Sequence, residues 1–100
     1  MPKDVEIKIS HSFRNVYVRF SLPIDGNADL LEALEDNLET LNGVNYVDIW
    51  RYEAVLHVAT HVRKPEDVQF DVMELAFEPD GDIISQLRSN FDSYSIQEGV

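Results

Sequence analysis

Two runs near the start of the chain alternate apolar and polar positions. Val5, Ile7 and Ile9 interleave with Glu6, Lys8 and Ser10; Val16, Val18, Phe20 and Leu22 interleave with Tyr17, Arg19 and Ser21. A period of two marks a strand with one buried and one wet face. The segment His11–Asn15 between them predicts a hairpin turn, and Pro23 ends the second strand. Beyond it the apolar spacing becomes helical. Leu30, Leu34, Leu38 and Leu41, widened by Leu31, form one stripe, the pattern of a helix with one face on a core. Asn27 is placed to cap the first free amides and Asp29 lies in the first turn, where the helix dipole favours an anion. Asn42-Gly43 supplies a left-handed stop.

Alternation returns from Tyr46 to Val62 and predicts a second hairpin. One face carries Val47, Ile49, Leu56 and Val58; the other carries Tyr46, Asp48, Trp50, Val55, His57 and Ala59. A turn at Tyr52-Glu53 pairs Trp50 with Val55, Ile49 with Leu56, Asp48 with His57, Val47 with Val58 and Tyr46 with Ala59. Core then meets core, and a slip by one residue would mix the faces. The turn residues are poor for a tight hairpin, so packing must set the register.

Residues 64–79 read two ways. Pro65 followed by Glu66 and Asp67 is a helix start, with Val68, Val72, Leu75 and Ala76 as its buried stripe, yet Val68, Phe70 and Val72 also alternate as a strand would. The helix is preferred. Ile83, Ile84, Leu87 and Phe91 form a further helical stripe, capped by Asp80 or Asp82, and residues 93–96 suit a short last strand. The order predicts a single α+β domain over residues 1–100. Its antiparallel sheet carries helices on one face, in a ferredoxin-like β-α-β-β-α order with an added N-terminal strand. The fallback makes 68–77 a further strand and 82–92 the second helix.

The balance of charge changes the picture more than composition does. Nineteen carboxylates face eight basic residues, for a formal charge of −11. That opposes direct nucleic-acid binding, which depends on neutralising phosphates, and binding to anionic membranes; it favours solubility or a basic partner. The charged start reads as neither a signal peptide nor an anchor, and no apolar run approaches the roughly 20 residues of a membrane helix. With no cysteine, the chain suits a reducing, cytoplasmic setting.

Candidate chemistry is sparse. His57 and His61 stand four apart on a predicted strand, roughly 13 Å between backbones, too far to share a zinc ion easily. No serine elbow, Walker loop or dinucleotide motif occurs. We therefore expect no catalytic residues, no metal and no cofactor. Two surfaces remain. The outer sheet face would show Tyr17, Arg19, Tyr46, Asp48, Trp50, Val55, His57 and Ala59, the mixture of aromatic and arginine side chains that anchors protein interfaces. This predicts a small acidic regulator, inhibitor or adaptor that binds another protein or itself as a homodimer. The alternative lies on the first helix, where Glu32, Glu35, Asp36 and Glu39 could mimic a row of phosphates and block a basic nucleic-acid-binding protein.

Overall fold

The first two alternating runs become β1 (Asp4–Ser12) and β2 (Asn15–Phe20), paired antiparallel from Ile7 opposite Phe20 to Ser12 opposite Asn15. This computed structural model describes residues 3–99; Met1, Pro2 and Val100, which the single-domain reading includes, lie outside the described residues. The leucine stripe folds as α1 (Ala28–Leu38), and the Asn27 side chain accepts a hydrogen bond from the Leu30 N–H at 3.1 Å. Gly43 takes the expected positive φ of 88°, but several residues past the end of that helix. The second hairpin is β3 (Val44–Ile49) and β4 (Glu53–Val58); then come α2 (Pro65–Asp71), a π-helical turn (Val72–Ala76), α3 (Asp82–Asn90) and β5 (Ser93–Glu98).

The five strands form one sheet in the order β3-β4-β2-β1-β5, an α+β architecture. The expectation of a wholly antiparallel sheet is corrected at one edge, because β5 pairs with β1 in parallel. A parallel neighbour needs a crossover connection, and the helical stretch between β4 and β5 supplies it. The fallback strand at 68–77 does not form: residues 65–76 are helical throughout. Pro65 occupies the first turn of α2 as predicted, whereas α3 is capped by Gly81 rather than by Asp80 or Asp82.

One core lies between sheet and helices. Ile7, Ile9, Val16, Val18, Leu56, Leu30, Leu34, Val68, Val72, Ile83 and Leu87 are fully buried in it. Leu75, predicted inside, is exposed instead. The π turn explains the swap. Phe77 N–H donates to the Val72 carbonyl at 3.0 Å, a five-residue step that rotates the following residues relative to an α-helix. Ala76 stays inside as expected, and Phe77 turns inward in place of Leu75.

The register of the second hairpin also differs. Ile49 faces Ala54, Asp48 faces Val55, Val47 faces Leu56 and Tyr46 faces His57, two residues from the expected pairing. A shift of two keeps every side chain on its face, so the pattern alone could not separate the two registers. The loop decides. Trp50 N–H donates to Glu53 O at 2.7 Å, while the carbonyls of Tyr52 and Arg51 accept from Phe20 N–H and Ile24 N–H at 2.7 and 2.8 Å. These bonds pin the loop to the end of β2. An irregularity between Val44 and Tyr46 then absorbs one residue.

Candidate protein-binding face

Because all three helices pack on one side, the outward residues of β2, β3 and β4 form the opposite surface. Cross-strand pairing builds it in rows. Tyr46 lies beside His57 and then Asn15; Asp48 beside Val55 and then Tyr17; Glu53 beside Arg19. The Tyr46 and His57 rings stack with centroids 4.1 Å apart and planes 17° from parallel. His57 Nε2 lies 3.0 Å from Asp48 Oδ2; an ionised carboxylate only accepts, so that nitrogen carries the proton. The predicted Asp48–His57 contact is therefore made, but along a diagonal rather than between directly opposed residues.

On β2 a similar arrangement repeats. Asn15 Nδ2 donates to the Tyr17 hydroxyl at 3.1 Å. The Arg19 guanidinium lies 4.7 Å from the Tyr17 ring centroid, and its Nε donates to Glu53 at 3.2 Å. These polar groups satisfy one another side by side. Holding the rings in place beforehand lowers the ordering cost of binding.

Exposure separates the predicted residues into two groups. Trp50 is 60% and Tyr46 53% exposed; Val55 and Ala59 are 7% exposed each. Val55 is the floor of the face, roofed by its neighbours, and Ala59 lies just beyond the end of β4. Neither is placed to meet a partner directly. Trp50 opens the loop after β3, and Tyr52 within that loop is 48% exposed.

Phe13 escaped the sequence reading altogether. It sits in the β1–β2 turn with φ of 57° and is 92% exposed, and it borders a shallow hollow with Arg14, Asn15, Tyr46 and His57. One signal was present, a phenylalanine within a predicted hairpin turn; that the turn is only Phe13-Arg14, with positive φ at Phe13, is seen only in the structure. A bulky residue in the left-handed region is strained by about 1–2 kcal/mol, and its side chain covers no core. Phe13→Gly is expected to raise stability by about 0.5–1 kcal/mol, the relieved strain less the added entropy of the unfolded chain. Thermal unfolding checks this; a lower Tm would show that the ring packs in the free protein.

The acidic residues of α1 divide between two flanks. Asp29, Glu32 and Asp36 border a furrow shared with Asp82 of α3, while Glu35 lies on the other flank and Glu39 follows it at the helix end. Among the described residues, no three of His, Asp or Glu gather as a metal site, and no helix is long and apolar enough to cross a membrane. His11 contacts Gln69 and His61 is exposed. Compared with protein-family models, curated proteins and solved structures, the chain finds no match.

Proposed function

We propose that this chain is a non-catalytic protein-binding domain, a small acidic regulator, inhibitor or adaptor that acts through the outer face of β2, β3 and β4. The observation that carries this reading is the exposure of Tyr46 and Trp50 on the outer face, beside the ordered Tyr17–Arg19 pair. Aromatic and arginine side chains dominate interface energetics, and a contiguous exposed patch of them marks an interaction site. The distribution of charge supports the same face. The helical segments carry nine carboxylates against Arg88 alone, whereas the strands carry five against Lys8 and Arg19. The aromatic side is thus the less charged one, as interface centres are. Its occupant is another protein or a second copy of the chain, in a cytoplasmic setting. The ferredoxin-like reading of the run from β2 to α2 belongs to the same proposal, with β1 as the added strand.

The test compares wild type with the Tyr46→Ala/Trp50→Ala double variant. Immobilised wild type is expected to retain a protein from the native host, or sedimentation to show self-association, with at least about tenfold weaker binding by the variant. Unfolding curves should stay within about 1 kcal/mol of one another. Equal retention and equal association by both proteins would overturn the reading. One observation favours the alternative, a nucleic-acid mimic: the furrow in which Asp29, Glu32 and Asp36 join Asp82. A basic nucleic-acid-binding protein whose affinity falls with Glu32→Gln, Asp36→Asn and Asp82→Asn, but not with Trp50→Ala, would select it.

A further inference from the structure

The free edge of β3 differs from the rest of the sheet. Among the described residues β3 is bonded only to β4, and none of its six residues is buried. Its core-facing residues Val44, Val47 and Ile49 are only partly covered, as are Leu31 and Leu41 beside them, whereas Leu56 and Val58 on the neighbouring strand are sealed. Apolar surface is therefore left open on the helix side of this edge, and Tyr46 and Trp50 stand open on the other. Natural edge strands are blunted by lysine, proline, bulges or short length. β3 has a bulge at its start, but from Tyr46 to Ile49 it pairs regularly and carries neither lysine nor proline. The opposite edge is different: β5 presents Ser93, Ser95 and Gln97 outward, and Asp92 and Gly99 tie its ends to Lys3 and Ile9.

Charge selects the occupant. From Ser21 to Ile49 there is no lysine or arginine, while Asp25, Asp29, Glu32, Glu35, Asp36, Glu39 and Asp48 fall in that span. Leu31, Glu35 and Glu39 follow one another at steps of four along the α1 flank away from α3. A second copy added at β3 would bring the same carboxylates against its own Glu35 and Glu39. A cationic strand would instead pair with them.

Resting on the protein-binding reading above, we propose that a basic, extended segment of another protein adds to β3 as a sixth strand. Its backbone hydrogen-bonds to the free edge, the mode in which an extended peptide joins a sheet. Side chains on the helix side are lysine or arginine, whose aliphatic stems lie along Val47, Ile49 and Leu31 and whose heads reach Glu35 and Glu39. Side chains on the other side are apolar or aromatic and lie against Tyr46 and Trp50.

A displayed library of random peptides of about ten residues, selected on the intact chain, tests this. Enriched peptides should alternate basic with apolar positions and perturb the amide resonances of Tyr46–Ile49. N-methylation of the peptide amides in one of the two alternating phases should weaken binding at least about tenfold. Glu35→Gln/Glu39→Gln should weaken it about threefold or more and flatten its salt dependence. Peptides without a basic excess, or no enrichment, would overturn the proposal. Peptides that perturb Tyr17 and His57 but leave the β3 amides silent would overturn strand addition while supporting the sheet face. Concentration-dependent protection of the β3 amides without peptide would assign the edge to a second copy and overturn it also.

Discussion

Leu56→Ala is expected to lower the unfolding free energy by about 2–5 kcal/mol. Leu56 is fully buried on β4, between Val16 of β2 and Val47 of β3, and faces the helices. Truncation there removes apolar area from the core and leaves a void that flanking strands, held by their ladders, cannot close. Against a total of roughly 5–15 kcal/mol for such a domain, a loss of that size is a large fraction of the stability. The urea midpoint should fall with little change in slope, and Tm by about ten degrees or more. A loss under about 1 kcal/mol would mean that Leu56 does not sit at the centre of the core.

Gly43→Ala is expected to cost about 2–3 kcal/mol, from two sources. Its φ of 88° disfavours any residue with a Cβ, worth about 1–2 kcal/mol. The new Cβ would also lie 2.9 Å from Cβ, Cγ and Cδ of Arg63. That arginine cannot move freely. It donates to the Asn42 carbonyl at 3.1 Å and to Asp71 at 2.5 Å, with about four-fifths of its side chain covered. The hydrogen bond to Asp71 raises the guanidinium's pKa above its ordinary value. The contact ties the α1–β3 connection to α2. A double-mutant cycle with Arg63→Gly, which removes Cβ as well as Cγ and Cδ, isolates the steric part: with those atoms gone, Gly43→Ala should cost about 1 kcal/mol less. Additive losses would show that Arg63 is not what the methyl group meets.

Much of the fold was legible because its signals are local and redundant. Val5, Ile7 and Ile9 admit one face, the leucines of α1 admit one stripe, and Asn27 caps where its side chain can reach the Leu30 amide. What escaped the sequence depends on contacts distant in the chain. Whether Ile49 meets Leu56 or Ala54 leaves every face unchanged; the choice rests on carbonyls of Arg51 and Tyr52 that bond to the chain after β2. Leu75 turns outward because of a π turn, which no helical periodicity anticipates. The parallel pairing of Val5 with Tyr94 joins the two ends of the chain.

The candidate face was legible in kind but not in detail. Tyr46, Trp50 and His57 stand outward, as alternation required, since parity survives a two-residue shift. Alternation assigns a direction but not a depth, so Val55 was placed on the right face while its burial between Asp48 and Tyr17 was invisible. Phe13 and Tyr52 lie in turns, where periodicity carries no signal. Their exposure is seen only once the turn geometry is known, Phe13 almost wholly open and Tyr52 about half.

Trp50 is the only tryptophan, which makes its emission a direct probe of the central claim that the aromatic side of the sheet is uncovered in the isolated chain. The measurement is its emission maximum and acrylamide quenching, at a dilution where sedimentation shows a monomer. We expect long-wavelength emission of a hydrated indole and quenching close to that of free tryptophan. Blue-shifted emission with quenching several-fold slower in the monomer would show the ring enclosed by its own chain, and would contradict the assignment of this face to a partner.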